Sequence, residues 1–281
     1  MVLGVTLYGL YLCRKAHSKS IYETQKSVDE YMHFHYGNFE SGSHGNWYKE
    51  HTIDDGFNFP VRCVILCAKH CSESDSTEPR RALDIGCAVG RSTFELSRHF
   101  DKVIGIDYSK AFISQCNAMK EKKQINYAIA TEGDLSEKFS AQLDPELDLG
   151  RVSFRVGDAC NLPKNLGKFH CVLAANLICR LYDPYLFLEQ LPNLLVVNGI
   201  LVLSAPYTWL SSFTPKARWL GGYLNEKKDP VRAIDTLKEV LSPHFALIKQ
   251  TDMPMLIRET ERKHQWTMCH ITIWRRLPPE T

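Results

Sequence analysis

One stretch constrains the fold of this chain more than any other: Leu83-Asp84-Ile85-Gly86-Cys87-Ala88-Val89-Gly90, followed at a distance by Val103-Ile104-Gly105-Ile106-Asp107. A short apolar run that ends in glycines reads as a strand entering a tight turn where a ligand can approach the backbone. A helix then leads to a second apolar run, closed by an acid suited to gripping ribose hydroxyls. A strand, turn, helix and strand in that order predict an α/β protein with a parallel sheet covered by helices.

The spacing discriminates between nucleotide-end ligands. A dinucleotide fingerprint needs three glycines as G-x-G-x-x-G, so that a pyrophosphate can rest on the helix N-terminus. Here the pattern is D-x-G-x-x-x-G, with Asp84 before Gly86 and no middle glycine before Gly90. An acid in that loop repels a pyrophosphate but suits a cationic amino group, as in S-adenosylmethionine with its zwitterionic methionyl end and positive sulfonium. On these residues the chain resembles the class I methyltransferases. The resemblance implies a Rossmann-like, mostly parallel seven-stranded sheet with helices on both faces and an antiparallel edge hairpin.

Periodicity places the elements. Strands are expected at Arg81 to Ile85, Lys102 to Ile106, Val152 to Val156, Phe169 to Ala174 and Gly199 to Ala205, with helices at Arg91 to His99, Ser109 to Lys122 and Tyr185 to Leu195. Phe245 to Thr251 and His264 to Trp274 would supply the hairpin. Upstream, Ile21 to Tyr36 reads as an amphipathic helix stopped by Gly37, and Pro60 opens a second helix over Val61 to Cys71. A Gly, Ser, His and Asn-rich loop (Asn38 to Asn58) and a polar linker (Ser72 to Pro79) separate them from the sheet. Ala128 to Gly150 is polar and too long for a tight connection, so it is expected as an inserted excursion or mobile flap. The division is residues 1–20 as an apolar and basic segment, 21–79 as a helical extension on the lid and substrate side, and 80–277 as the cofactor-binding domain.

Composition narrows the partners. The net charge is only +2 over 281 residues, with Lys and Arg scattered, so no basic stripe favours nucleic acid and a small-molecule substrate is expected. Ten cysteines include Cys87 in the cofactor loop and Cys171 and Cys179 beside an apolar strand, which fits buried thiols in a reducing, cytoplasmic setting. Cys63, Cys67 and Cys71 fall at i, i+4 and i+8 without ligand-spaced partners, so they read as a packed helix face and no metal is expected. Met1 to Cys13 is apolar but shorter than the roughly 20 residues a spanning helix needs, so membrane association is disfavoured.

Further positions complete the expected site. Asp158 and Ala159 close a strand where a carboxylate can accept from the adenine amine and a backbone N–H can serve a ring nitrogen; Asp158 could equally cap a turn. Asn176 ends the next strand near the reacting sulfonium, and Arg180 follows as a candidate for the substrate carboxylate. Tyr207 and Trp209 leave the last parallel strand and could form a second pocket wall or pack in the core.

The acceptor is addressed by a second, narrower resemblance. The segments Tyr22-Glu23-Thr24-Gln25-Lys26, Glu30-Tyr31-Met32-His33-Phe34-His35-Tyr36-Gly37, Ala82 to Ser92 with Phe94-Glu95-Leu96, and Gly157-Asp158-Ala159-Cys160-Asn161-Leu162 resemble the C-terminal methyltransferase domain of ovothiol synthase. That domain is a 4-mercaptohistidine N-methyltransferase, and the likeness runs from about Ile21 onward. It implies methyl transfer from S-adenosylmethionine to an imidazole nitrogen of 5-thiohistidine in ovothiol A biosynthesis, with a functional link to a sulfoxide synthase. The roles follow: Gly86 and Gly90 give close approach to the methionyl end, Asp84 orients its amino group, and Asp107 binds the ribose. Tyr31, Cys87, Tyr108 and Asn176 complete the cofactor contacts. Tyr31, His35 and Tyr36 form the lid and orient the thiohistidine, with His35, Tyr36 and Asn176 nearest the chemistry. A methyltransferase of another small molecule or of protein side chains, and a non-enzymatic cofactor-binding partner of a synthase, stay open as alternatives.

Overall fold

Apolar strands bounded by glycine turns and capped helices assemble around one sheet in the computed structural model, which describes residues 21–37, 54–71 and 78–279. The segment 1–20, and most of the loop and of the linker expected upstream of the sheet, lie outside those residues.

Helix α1 (Gln25–Tyr36) begins where the Thr24 side chain accepts from Ser27 N–H at 3.2 Å, four residues later than expected. It stops at Gly37, where a Cβ would strike the His33 carbonyl. Helix α2 (Phe59–His70) carries Pro60 in its first turn, and Cys63 and Cys67 are buried on its inner face with Cys71 just past its end. That is the packed thiol face the spacing predicts.

Seven strands form the main sheet: β1 (Arg81–Ile85), β2 (Lys102–Asp107), β5 (Val152–Val156), β6 (Phe169–Ala175), β7 (Leu195–Ala205), β10 (Phe245–Arg258) and β11 (His264–Arg276), in the order β10-β11-β7-β6-β1-β2-β5. Pairings β5·β2, β2·β1, β1·β6 and β6·β7 are parallel, while β11 runs antiparallel to both β7 and β10. The chain thus has the Rossmann-like class I methyltransferase fold. The expected hairpin is present, but β11 lies inside the sheet and β10 forms the edge. Pro254 sits in β10, where an edge strand tolerates a missing N–H.

Helices α3 (Arg91–Leu96) and α4 (Lys110–Lys122) join α1 and α2 on one face, sharing a core with Ala82, Cys171 and Ile271. Helices α5 (Pro184–Leu194) and α6 (Ala233–Leu241) cover the other face with Leu83, Ile85 and Trp274. Successive residues of β1 therefore face opposite layers, as strand geometry requires, and Asp84 is turned toward α3. Because α1 and α2 bury Val28, Met32, Phe34 and Phe59 in the same core as the sheet, the helical extension packs as part of it.

The excursion expected at Ala128 to Gly150 is for the most part a hairpin, β3 (Gln124–Ala130) and β4 (Ser136–Gln142), in full register. The signal is a period-2 alternation: Tyr127 and Phe139 are cross-strand partners whose rings stack at 5.6 Å. His33 of α1 packs on Phe139 at 4.7 Å and meets the Tyr127 hydroxyl at 3.1 Å, so the hairpin braces α1. A small hairpin, β8 (Tyr223–Leu224) with β9 (Pro230–Val231), precedes α6. No helix among the described residues is long and apolar enough to cross a membrane.

Gly105, in the middle of β2, has no room for a side chain: a Cβ would lie 2.7 Å from both the Phe154 ring and the Thr93 hydroxyl. Gly105→Ala is expected to lower stability by about 1–3 kcal/mol through overpacking. Urea denaturation should show a lower midpoint at unchanged slope.

Candidate active site

The strand order reverses direction at β1, whose neighbours β2 and β6 lead away to opposite edges. Open α/β sheets bind ligands in the crevice at such a point, beyond the carboxyl ends of the strands. A cavity of about 510 Å³ opens there, lined by Asp84, Gly86, Asp107, Asp158 and Asn176 among others.

Its floor is the loop joining β1 to α3. Gly86 at φ +77° and Ala88 at φ +47° turn the chain back, and the Gly86 and Cys87 amides donate to the Ile106 carbonyl at 2.7 and 3.1 Å. A Cβ on Gly86 would press within 3.0 Å of the Leu177 side chain. Gly90 also has positive φ, at +88°, but its missing Cβ makes room for Cys116 and the Phe154 ring, each 2.9 Å from where it would be. Gly90 is not among the residues lining the cavity; its missing Cβ leaves room for packing under the loop.

Asp107 is held by two backbone amides, accepting from Ala88 N–H at 2.9 Å and Ser109 N–H at 2.8 Å. Asp84 accepts from the Thr93 hydroxyl at 2.7 Å and is only 1% exposed. Burial pushes the Asp84 carboxyl up to about 7 and Asp107 up to about 6, against the pull of those hydrogen bonds. Both acids thus meet only neutral donors, an arrangement that a bound cation or hydroxyl-rich ligand completes.

Asp158 caps a turn and also faces the cavity. Its Oδ1 accepts from Cys160 N–H at 2.9 Å as a turn cap, and the residue also lines the cavity, as does Ala159. Asn176, in left-handed backbone at φ +53°, is tied to β7: its amide donates to the Ser204 carbonyl at 3.0 Å and its Oδ1 accepts from the Ser204 hydroxyl at 2.8 Å. Its Nδ2 lies 3.0 Å from the Met255 sulfur. Cys87 and Tyr108 also line the cavity.

The opposite wall comes from α1. Tyr31 and His35 line the cavity. Arg91 N–H donates to His35 Nδ1 at 3.3 Å, which leaves Nε2 to carry the ring proton, and burial beside Arg91 lowers this histidine to about 3. His35 is therefore a neutral donor rather than a base. Tyr36 is not brought to the cavity: its hydroxyl donates to the Val89 carbonyl at 2.9 Å and its ring carries the Arg91 guanidinium at 5.4 Å, pinning the loop to α1.

Arg180 lines the cavity, donating to the Thr208 carbonyl at 2.7 Å and lying over the Phe213 ring at 5.2 Å. Tyr207 and Trp209 are turned away from it. The Tyr207 hydroxyl meets His270 Nδ1 at 2.8 Å, and Trp209 stacks on Trp219 at 6.3 Å; Pro206, Leu210 and Phe213 of the same segment face inward instead. Met255, Ile257 and Gln265 also reach the cavity, because β10 continues seven residues past the expected Thr251, to Arg258. The alternation through Met253, Met255 and Ile257 carries that signal, which Pro254 interrupts to the eye.

Comparison with known proteins agrees with this geometry. Residues 83–203 match the family model described as a methyltransferase domain. Ajmaline N-methyltransferase of Rauvolfia serpentina is 24% identical over 176 residues, 61% of this chain and 50% of that protein. A probable S-adenosylmethionine-dependent methyltransferase, CRG1 of Saccharomyces cerevisiae, is also 24% identical over 176 residues, 60% of this chain and 55% of that one. The chain spans about half the length of these curated relatives. Among solved structures, the cyclase SpnF superposes with a TM-score of 0.54 at 14% identity, over 93% of this chain and 96% of that one. A protein that converts a disulfide bond into a thioacetal group in echinomycin biosynthesis does so at 0.50 and 13%, over 80% and 91%. These two share the fold.

S-adenosylmethionine is the cofactor of such a domain, and the buried acids fit its cationic end. Docking a cation beside carboxyls raised to about 7 and 6 favours their ionised forms, so affinity should rise with pH between roughly 5 and 7.5. Calorimetry of S-adenosylmethionine binding at pH 6 in buffers of different ionisation enthalpy should show proton release, reduced in Asp84→Asn. Residues 83–203 thus resemble a methyltransferase domain, carried on a Rossmann-like sheet.

Proposed function

We propose that this protein transfers the methyl group of S-adenosylmethionine to an imidazole nitrogen of 4-mercaptohistidine (5-thiohistidine), giving ovothiol A. One observation carries this reading: the helix with the narrowest resemblance, Tyr31 to Gly37, lies against the same cavity as the cofactor loop, with Tyr31, Phe34 and His35 in its wall. The size of the cavity supports a small acceptor, since about 510 Å³ falls within the roughly 300–1,000 Å³ of small-molecule sites. The N-methyltransferase from Rauvolfia among the relatives supports transfer to nitrogen.

Asp107 would hold the ribose hydroxyls, Asp84 the methionyl amino group, and Asp158 with the Ala159 amide the adenine. When bound, the cofactor supplies an electrophilic methyl on a cationic sulfur. An imidazole nitrogen with a free lone pair is already a nucleophile near neutral pH, so the protein's task is alignment and exclusion of water. No strong base is required of it. His35, fixed as a donor by Arg91 N–H, would donate a hydrogen bond from its Nε2–H to the acceptor's thiolate sulfur and hold the ring in place. Asn176, locked to Ser204, would present its amide beside the ring. Residues 21–79 would serve as the acceptor wall and 80–277 as the methyltransferase domain, acting on the product of a sulfoxide synthase.

Purified protein incubated with methyl-labelled S-adenosylmethionine and 5-thiohistidine should yield an N-methylated product with histidine itself a poorer acceptor. Thiohistidine left unlabelled while another acceptor takes the methyl would refute the assignment. Asp107→Ala should weaken cofactor binding about tenfold or more, as loss of a charge-assisted hydrogen bond does. Unchanged affinity by calorimetry would remove the ribose role.

A further inference from the structure

A helix leaves its first four amides without intrahelical partners, and at α4 those four are divided between two distant parts of the chain. Ser109 N–H donates to Asp107 at 2.8 Å and Phe112 N–H to the Ser109 hydroxyl at 3.1 Å, both within the local sequence. The other two are served by one carboxylate from far upstream. Lys110 N–H donates to Glu23 Oε1 at 2.9 Å and Ala111 N–H to Glu23 Oε2 at 3.1 Å. The Ser109 hydroxyl in turn donates to the Tyr22 carbonyl at 3.0 Å. Negative charge at a helix amino end is favoured by the helix dipole as well.

Residues 21–24, just ahead of α1, therefore bridge the β2 and β6 ends of the cavity. Ile21 and Tyr22 line it, while Glu23 is not among the lining residues. On the β2 side, Glu23 holds the same helix end that Asp107 braces, and its charge helps to raise the Asp107 carboxyl. On the β6 side, the Tyr22 hydroxyl is in polar contact with Tyr31 and with Arg180, which follows that strand. Its ring packs between Phe112 of α4 and Phe213 of the segment after β7, at 5.8 and 6.1 Å. The hold is mainly polar. Ile21 is 44% exposed, Glu23 and Thr24 are exposed, and the buried side chains of α1 begin only at Val28. A segment with so little buried apolar surface opens locally well before the fold around it does. Release of Glu23 would free residues 21–24 ahead of the Thr24 cap, with Met32, Phe34 and the β3–β4 hairpin keeping α1 seated.

We propose that residues 21–24 are a latched strap over the cofactor seat: Glu23 on the amino end of α4 holds it shut, and its release lets S-adenosylmethionine in and S-adenosylhomocysteine out. Glu23 is a positioning residue, acting through the strap and the α4 end rather than on a ligand. The proposal rests on the cofactor and not on the identity of the acceptor. Opening of such closures sets the pace of product release in many enzymes. The hydrogen-bonded latch, more than the chemistry at the sulfonium, thus governs how long the spent cofactor stays.

The test reads rates rather than affinity alone. Association and dissociation of S-adenosylhomocysteine are measured on the immobilised full chain by surface plasmon resonance. In Glu23→Ala both rates should rise about tenfold, the effect of losing hydrogen bonds to a charged group, with Kd changed far less than either. Glu23→Gln keeps one oxygen acceptor and should fall between the two proteins. A gate speeds passage in both directions, whereas a contact to the ligand alters departure alone. Hydrogen exchange gives a second readout. S-adenosylhomocysteine should slow exchange at the Lys110 and Ala111 amides of the unmodified protein and leave it fast in Glu23→Ala. Faster dissociation with unchanged association overturns the gate. So do unchanged rates in Glu23→Ala accompanied by a lower urea midpoint, since the carboxylate then does no more than cap a helix. If Glu23→Ala does not fold, Glu23→Gln carries the same comparison. Absence of S-adenosylhomocysteine binding by the unmodified protein overturns the strap together with the cofactor seat, and no acceptor takes part in these measurements.

Discussion

Asp84 and Asp107 end adjacent parallel strands with only neutral hydrogen-bond donors around them. Burying a carboxyl without a cation costs free energy, and the rise of both above their ordinary range expresses that cost. The two acids are not equivalent. Asp84 is shielded by α3 through Thr93, a contact that exists because Gly105 leaves space for that hydroxyl. Asp107 is the brace of the loop itself, since its bond to Ala88 N–H helps hold a non-glycine residue in left-handed backbone. The acid that would meet the cofactor is therefore also the acid that shapes the loop the cofactor lies on.

The loop is tied from above as well. Tyr36 reaches from α1 to the Val89 carbonyl, and Arg91 N–H reaches back to His35, so α1 and the start of α3 are joined by two hydrogen bonds in opposite senses. The β3–β4 hairpin supports α1 from the far side through Tyr127, Phe139 and His33. Arg258 of β10 joins this brace, lying over Phe139 at 5.5 Å and pairing with Glu137 at 3.3 Å. No residue of the hairpin lines the cavity, yet it braces the helix and the strand end that do.

The residues that would meet an acceptor lie largely outside the matched domain. Residues 83–203 contain the loop, Asp107, Asp158, Asn176 and Arg180, whereas Tyr22, Glu30, Tyr31, His35, Met255 and Gln265 come from either side of it. The cyclase SpnF shares the fold, so the sheet alone does not name a reaction. The flanking helices and the last hairpin supply the cavity wall that lies outside the matched segment.

The floor of the cavity was legible in the residues because it is local: the turn, the acid closing β2 and Asp158 just past β5 are all set by a few neighbours along the chain. The five parallel strands were legible for the same reason, through apolar runs and glycine breaks. The division of labour between Gly86 and Gly90 was not, since it depends on Leu177 above one and on Phe154 and Cys116 beneath the other. Nor could composition separate Tyr36 from Tyr31 or Trp209 from Leu210. Neighbours on a helix or turn point in different directions, and only packing against the sheet selects which enters the cavity. The β3–β4 hairpin was hidden by its polar outer face, and β10 by a proline that an edge strand accommodates. Local chemistry thus wrote the loop that floors the cavity into the sequence, while long-range packing alone decided which side chains line its walls.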